Sequence, residues 1–211
     1  MSELHYIAIE GVIGAGKTAL AELLAERMNA LTVLENPDEN PFLKEFYRDP
    51  ERFAFQTQIF FLLSRFKQQE EFPPPDLFHE RVISDYIFAK DRIFATLNLS
   101  EAELNLYEKI LQLLELKAPT PDLVVYLQSS PARLMKNIRI RGREYEKDLS
   151  LDYISQLNEM YNSFFMNYSA TPLLVVKADN IDFVNNEEHL KDLIREIEKP
   201  FQGTRFYNPI V

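Results

Sequence analysis

Residues 11–18, GVIGAGKT, have the types and spacing of a loop that binds phosphate. Gly11, Gly16, Lys17 and Thr18 fill the defining positions of the pattern G-x-x-x-x-G-K-T. The backbone N–H groups of such a loop, with the positive end of the helix that follows, hold phosphate oxygens. Lys17 neutralises the β and γ phosphates, and Thr18 offers its hydroxyl to Mg²⁺. The predicted nucleotide-binding residues of this loop are Gly11, Val12, Ile13, Gly14, Ala15, Gly16, Lys17 and Thr18.

The elements that must position this loop are predicted from the alternation of short apolar runs with longer helical patterns. Five apolar runs predict strands, at residues 6–10, 31–35, 81–85, 122–128 and 173–178. The segments between them carry apolar residues at helical spacing, and the longest of these helices ends at the prolines of 72–76. This pattern predicts an α/β fold, a three-layer sandwich with a five-stranded parallel sheet and helices on both faces. Because no repeat or linker interrupts it, residues 1–211 are interpreted as one domain.

Three of the predicted strands end in an acid, at Glu10, Glu35 and Asp85. Ligands of open parallel sheets bind beyond the carboxyl ends of the strands. Glu35 is therefore predicted to accept the proton of an acceptor hydroxyl, the alternative being a loop carboxylate that caps or is solvated. Asp85 is predicted to hold Mg²⁺ directly or through water, the alternative being a helix N-cap, and both roles can coexist. Glu10 is interpreted as structural.

The segment RLMKNIRIRGRE (133–144) concentrates positive charge in a chain whose net charge is −10. Gly142 allows the end of its helix to bend. We predict a mobile lid over about 136–148 that closes on phosphates, because guanidinium groups grip phosphate in bidentate fashion. The alternative is a solvated helix face that pairs with nearby acids such as Glu144.

Composition excludes several classes of function. A net charge of −10 argues against a nucleic-acid polymer as partner. The absence of cysteine excludes disulfides and thiolate metal sites. The N-terminus lacks the pattern of a signal peptide and no long apolar stretch occurs, so we expect a cytoplasmic protein that does not bind membranes. A regulatory GTPase is disfavoured, because VKAD (176–179) has Val176 where the guanine-reading motif needs asparagine.

Four stretches resemble the deoxynucleoside kinase family, whose members phosphorylate the 5′-hydroxyl of deoxycytidine, deoxyguanosine or deoxyadenosine. They are GVIGAGKT, LENPDENPFLKEFYRDPERFAFQTQIFFLLSR, RGREYE and ADNIDF, and the resemblance that rests on them covers nearly the whole chain. The resemblance implies a P-loop kinase fold with an arginine-rich lid. It also implies transfer of the γ-phosphoryl group of ATP with Mg²⁺, a homodimer formed through helices within 51–71 and 100–117, and a role in nucleotide salvage. The ENPF…FYRD form favours purines, and deoxyadenosine above all.

The resemblance implies roles for residues around the acceptor. Glu35 is similar to the general base on the 5′-hydroxyl, and Tyr47 and Glu146 are similar to the pair that holds the sugar 3′-hydroxyl. Gln58 is similar to the amide that pairs with the base edge, which suits an amide because it donates and accepts side by side. The residues themselves also allow Tyr47 to be a core aromatic, whereas a buried Gln58 would need partners.

Further residues gain roles from the same resemblance. Arg65 and Asp91 resemble the charged pair that tunes which base fits, the alternative being a surface ion pair. Asp182 and Phe183 resemble the loop that holds the adenine of ATP, although Phe183 alone could be a core aromatic. The predicted catalytic residues are Glu35, Lys17 and the two lid arginines, Arg141 and Arg143.

Two positions depart from the family pattern. The family has an arginine where this chain has Tyr86, and another where it has Asn137, for which Lys136 or Arg139 could substitute. Two alternatives to a deoxynucleoside kinase therefore stay open. One is a nucleoside monophosphate kinase, which needs cations near the acceptor. Over 35–65 the chain offers only Lys44, Arg48, Arg52 and Arg65. The other is a non-catalytic ATP-binding or assembly protein.

Overall fold

A computed structural model of the protein describes residues 4–70, 80–115 and 119–209. The strands of its sheet are β1 (Tyr6–Glu10), β2 (Leu31–Val33), β3 (Val82–Ser84), β4 (Leu123–Gln128), β5 (Leu173–Lys177) and β6 (Thr204–Tyr207). They lie in the order β2-β3-β1-β4-β5-β6, and every neighbouring pair is parallel. The predicted α/β fold class is confirmed, with one strand more than the five predicted.

Helices connect these strands and cover the sheet. They are α1 (Lys17–Met28), α2 (Leu43–Arg48), α3 (Pro50–Glu70), α4 (Lys90–Asn98), α5 (Glu101–Glu115), α6 (Pro131–Arg141), α7 (Leu151–Met166) and α8 (Glu187–Glu198). Short 3₁₀ helices occur at Pro37–Glu39, Glu144–Glu146 and Ala178–Asn180. The main hydrophobic core buries β1, β4 and β5 together with α1, α6, α7 and α8, and a smaller cluster joins α3, α4 and α5.

The register of the sheet brings three loops to one edge. Ser84 of β3 pairs with Ala8 of β1 on one side and with Val33 of β2 on the other. The segments that follow these strands therefore leave the sheet close together. The phosphate-binding loop, Glu35 and Asp85 lie on those segments.

Helix α6 has clear start and stop signals. The Ser130 hydroxyl accepts a hydrogen bond from Arg133 N at 3.3 Å, and Pro131 occupies the first helical position. The helix ends at Gly142, whose φ of 69° lies in the left-handed region that favours glycine. The predicted lid therefore consists of the last turn of α6, a glycine stop and the 3₁₀ turn at Glu144–Glu146.

Strand β6 is the one strand of the structure that was not predicted from the sequence. In β6, exposed and half-buried residues alternate, and Phe206 is 73% exposed. Such an edge strand lacks the continuous apolar run that marked the other strands. The prolines predicted to end α3, at 72–76, lie outside the described residues. Among the described helices, none is long and apolar enough to cross a membrane.

Candidate active site

The phosphate-binding loop joins β1 to α1 and folds around its own lysine. Lys17 Nζ donates to the carbonyl oxygens of Gly11 at 2.8 Å and Val12 at 3.3 Å. Burial lowers the pKa of Lys17 to about 8, and repulsion from Lys90 adds to this effect against nearby carboxylates. The ammonium group is thus held at the mouth of the loop, where a phosphate can restore its full charge.

Two glycines in the loop are required by the backbone and by their neighbours. Gly14 and Gly16 have φ values of 85° and 94°. A Cβ on Gly14 would lie 2.7 Å from the Leu134 carbonyl oxygen of α6. Asn137, also on α6, donates from Nδ2 to the Gly14 carbonyl at 2.8 Å. The loop and the helix that leads into the predicted lid are therefore in direct contact.

An open groove of about 450 Å³ lies outside this loop, between α6 and the segment after β5; we call it the outer groove. It is lined by Gly14, Ala15, Gly16, Arg133, Lys136, Asn137, Arg141, Asp182 and Phe183, among others. Asp182 binds the side chain and backbone of Asn185, and its own N–H donates to His189 Nδ1 at 3.0 Å. The predicted adenine-binding residues therefore sit on an ordered turn at the wall of this groove.

A second, narrower cavity of about 130 Å³ lies on the other side of the loop; we call it the inner cavity. Lys17 and Thr18 line it together with most residues predicted to contact the acceptor. These are Glu35, Tyr47, Gln58, Arg65 and Glu146. The cavity is also lined by Arg141 and Arg143, predicted for the donor phosphates, by Asp85, predicted for Mg²⁺, and by Lys90, for which no role was predicted. One cavity thus contains the phosphate-binding lysine, the predicted base and the predicted sugar and base contacts.

Glu35 lies just beyond β2 between two buried cations. Its Oε1 contacts Arg65 Nη2, and its Oε2 accepts from Lys90 Nζ at 2.8 Å. Burial alone would raise the pKa of Glu35, but Arg65 and Lys90, helped by Lys17, outweigh it and hold the pKa well below the usual range. Glu35 is therefore ionised at neutral pH and ready to accept a proton.

Arg65 on α3 and Asp91 on α4 form a buried ion pair. The side chains of Arg65 and Asp91 are 5% and 1% exposed, and Arg65 Nη1 contacts Asp91 Oδ1. The alternative of a surface pair is wrong. Asp91 lies behind Arg65, away from the cavity wall, so any influence it has on a bound base would act through the guanidinium group.

Asp85 connects the three loops at the edge of the sheet. Its Oδ2 accepts from the Thr18 hydroxyl at 2.5 Å, and its Oδ1 accepts from Glu35 N at 2.8 Å. Helix α4 starts only at Lys90, after Ala89, so the alternative of Asp85 as its N-cap is wrong. Asp85 and Thr18 offer the hard oxygen ligands that Mg²⁺ prefers.

The remaining acceptor residues line the wall formed by α2, α3 and the lid. Gln58 is buried on α3, and Tyr47 stacks on Tyr145 with ring centroids 6.0 Å apart. Burial raises the pKa of Tyr47, and the nearby hydroxyl of Tyr153 and the charge of Glu146 add to this. Tyr47, Gln58 and Glu146 all line the inner cavity, although Tyr47 and Glu146 are 99 residues apart in sequence.

Both lid arginines contact Glu146 in this structure. Arg141 donates to both carboxylate oxygens, from Nε at 3.1 Å and from Nη2 at 2.6 Å. Arg143 Nη1 lies 3.7 Å from Oε1. Because both arginines line the inner cavity, and Arg141 also lines the outer groove, the segment predicted to be a lid lies between the two spaces.

Three contacts of the site were not found from the sequence. Glu10 accepts from Gly11 N at 3.0 Å and Ile87 N at 2.8 Å, which agrees with its structural interpretation but extends it to both loops. Tyr86 donates to Gln68 Oε1 at 3.0 Å and faces Lys90 and Arg65 with its ring. Lys90, buried beside Glu35, is the most consequential of the three. One feature of the sequence could have drawn attention to Lys90: a cation at the start of a helix opposes the helix dipole.

The family model described as deoxynucleoside kinase matches residues 7–202 of the chain. A deoxyadenosine kinase of Dictyostelium discoideum is 35% identical, over 97% of this chain and 82% of its own length. A deoxyguanosine kinase of Bacillus subtilis is 36% identical, over 92% of this chain and all of its own length. The structure of a deoxyadenosine kinase from M. mycoides with bound dCTP superimposes with a TM-score of 0.79 at 24% identity, covering 91% of this chain and 98% of that one, so the fold is shared. The resemblance predicted from the sequence is confirmed, and the chain belongs to the deoxynucleoside kinase family.

Proposed function

We propose that this chain transfers the γ-phosphoryl group of ATP to the 5′-hydroxyl of a purine deoxynucleoside, with deoxyadenosine preferred. Membership in the family makes the chain an ATP-dependent deoxynucleoside kinase. The observation that carries the proposed transfer to a 5′-hydroxyl is the position of Glu35. Its carboxylate is ionised, lies in the same cavity as Lys17 of the phosphate-binding loop, and faces the wall that carries Gln58 and Glu146.

In this mechanism Glu35 accepts the proton of the 5′-hydroxyl while the 5′-oxygen forms a bond to the γ-phosphorus. The bond from that phosphorus to the β–γ bridging oxygen breaks, and ADP leaves with the electron pair. Lys17 and the lid arginines, Arg141 and Arg143, neutralise the charge that spreads over the phosphoryl oxygens. Glu35 does not need to be a strong base, because proton transfer can come late in a loose transition state.

The Thr18 hydroxyl and Asp85 carboxylate are the residues that would hold Mg²⁺, together with phosphate oxygens of the nucleotide. They are hydrogen-bonded to each other and lie where the phosphate-binding loop opens into the inner cavity. One or two protein oxygens suffice, because Mg²⁺ usually keeps several waters and binds substrate phosphates. The ion would neutralise the β and γ oxygens during transfer.

The acceptor wall supports recognition of a nucleoside. Tyr47 and Glu146 are proposed to hold the sugar 3′-hydroxyl, and Gln58 the edge of the base. Arg65 presents part of its guanidinium group to the same cavity. The choice of a purine rests on the relatives, since those of Dictyostelium discoideum and Bacillus subtilis are named deoxyadenosine and deoxyguanosine kinase. Asp182 and Phe183 are proposed to hold the adenine of ATP in the outer groove.

A panel of acceptors tests the proposal. The protein is incubated with ATP and Mg²⁺ and each of the four deoxynucleosides or dAMP, and products are identified by mass. We expect the highest kcat/KM with deoxyadenosine and the 5′-monophosphate as product. Turnover of dAMP alone would indicate a nucleoside monophosphate kinase. ATP binding without any product would indicate a non-catalytic protein, and either result contradicts the proposal.

We also propose that the protein is a cytoplasmic homodimer that works as one domain per chain with a lid over about 136–148. The proposed interface lies within 51–71 and 100–117, of which residues 71, 116 and 117 lie outside the described ranges. Leu63 of α3 and Leu106 and Leu113 of α5 support it, being 48%, 50% and 75% exposed. We expect analytical ultracentrifugation to show a dimer, and the L106E/L113E variant to be monomeric. A monomeric parent protein would contradict this proposal.

A further inference from the structure

Lys90 is a buried cation that makes its closest contact with the predicted base. Its side chain is 3% exposed, and Nζ donates to Glu35 Oε2 at 2.8 Å. It is the first residue of α4, where the helix dipole disfavours a positive charge. Burial and the dipole both act against an ammonium group here, so nearby carboxylates must compensate for it.

The groups that face Glu35 and Lys90 come from every element around them. The cations are Lys17 of α1 and Arg65 of α3. The carboxylates are Glu10 at the end of β1, Asp85 after β3 and Asp91 of α4. The hydroxyl-bearing rings are Tyr86, with its centroid 5.6 Å from Lys90 Nζ, and Tyr161 of α7. Among these neighbours, Lys90 and Arg65 are the two cations bonded to the Glu35 carboxylate.

The two cations hold opposite oxygens of one carboxylate. Arg65 contacts Oε1 and Lys90 binds Oε2, so rotation of the carboxylate plane would break at least one contact. An ionised carboxylate has about four lone-pair sites, and two of them stay available for a substrate hydroxyl. Arg65 contacts both Glu35 and Asp91. Lys90, on the neighbouring helix, donates to Glu35.

Resting on the function proposed above, we propose that Lys90 is a positioning residue for phosphoryl transfer. Its ammonium group fixes Glu35 Oε2 and keeps the carboxylate ionised and aimed at the acceptor hydroxyl. Lys90 supplies positive charge at the point where this chain has Tyr86 in place of the arginine of its family. The proton of the hydroxyl goes to Glu35.

Three variants test this role through kcat and KM. K90M removes the charge and keeps an unbranched side chain, K90R keeps a cation, and K191M is the matched control at an exposed lysine of α8. We expect K90M to lower kcat with deoxyadenosine about tenfold or more, with a smaller change in KM, and K90R to recover part of the loss. K191M should match the parent.

A double-mutant cycle separates positioning from a merely structural role. If Lys90 acts through Glu35, K90M should cost less than about threefold in an E35Q background. An equal loss in both backgrounds would overturn the proposal, as would K90M activity within threefold of the parent. If K90M does not fold, K90R decides: a folded K90R with less than a hundredth of the parent kcat would overturn it.

The charge effect is also measurable without turnover. Carbon-13 NMR of the Glu35 carboxyl group in the free protein should show an ionised group down to about pH 4 in the parent, and a higher pKa in K90M. A parent that phosphorylates no deoxynucleoside but shows this difference would contradict the proposed function and not the contact. No difference in the Glu35 pKa between parent and K90M would overturn the role of Lys90.

Discussion

The inner cavity and the outer groove meet at the phosphate-binding loop, but their charged side chains differ in burial and in pairing. In the inner cavity the charges are buried and paired: Glu35 with Arg65 and Lys90, and Arg65 with Asp91. In the outer groove, Arg133 and Lys136 border an open space, and the loop presents backbone N–H groups. One region is assembled before any ligand arrives, whereas the other leaves its positive charge for the ligand.

This difference indicates where substitutions will be most costly. Removing one partner of a buried pair leaves an uncompensated charge in a medium of low dielectric constant. Removing a cation from an open groove weakens a contact that water and the remaining cations partly replace. We therefore expect inner-cavity variants to lose chemistry and stability, and outer-groove variants to lose mainly affinity for ATP.

The largest expected effect is that of E35Q, in the inner cavity. The amide cannot accept the acceptor proton, so kcat should fall about 10³-fold, within the range of general-base contributions. The measurement is ADP release with saturating ATP and deoxyadenosine. E188Q, at an exposed glutamate of α8, is the control and should match the parent. If E35Q retained activity within a factor of three, Glu35 would not be the base. The expectation that inner-cavity variants lose chemistry would then be contradicted.

The second effect is on stability and concerns the buried pair behind the cavity wall. D91N takes away one of the two carboxylates that contact the Arg65 guanidinium and leaves Glu35 in place, so the free energy of unfolding should fall by about 2 kcal/mol. Urea denaturation monitored by circular dichroism measures this loss. D192N removes an exposed carboxylate that pairs with Arg195 and should cost less than about 1 kcal/mol. Equal losses in the two variants would show that the inner cavity is no more dependent on pairing than the surface.

The third effect concerns the predicted lid, which lies between the two regions. R143Q removes one lid guanidinium but leaves Arg141 in place, so kcat/KM for ATP should fall about tenfold, the value of one charge-assisted hydrogen bond. KM for deoxyadenosine should change less. R195Q, on the exposed face of α8, serves as control. If R143Q changed only the KM for deoxyadenosine, Arg143 would act on the acceptor and not on the phosphates of ATP.

The smallest effect is a pH dependence of ATP binding. The pKa of Lys17 is lowered to about 8 in the free protein, and a bound phosphate favours the charged form. Binding should therefore take up about 0.7 proton at pH 8.5, and affinity should weaken about fourfold between pH 7 and 8.5. Calorimetry in buffers of different ionisation enthalpy measures the uptake, and K17M should abolish it. Proton release by the parent would contradict the assignment.

The sequence predicted best those features that are contiguous. Eight consecutive residues define the phosphate-binding loop, and continuous apolar runs define five of the strands. The strand β6 was missed because its side chains alternate in exposure and form no such run. The family was identified from long stretches of sequence, and the family match over 7–202 confirms it.

The inner cavity was predicted less completely, because its contacts connect distant segments. The bond between Lys90 and Glu35 spans 55 residues, and no spacing rule links a strand-end glutamate to the first residue of a later helix. The position of Asp91 behind Arg65 likewise depends on how α3 and α4 pack. Nothing in the sequence pattern indicated that Tyr86 would face two cations. The functional roles of the site residues stay predictions for the experiments above.

The contact between Gly14 and α6 has a consequence for protein engineering. A side chain at 14 would strike the Leu134 carbonyl, and Asn137 binds the Gly14 carbonyl from the same helix. The loop at 11–18 and the helix at 131–141 therefore form one packed unit. A chimaera that takes its lid helix from a relative should exchange both segments together, since a helix fitted to another loop would meet Gly14 at the wrong distance.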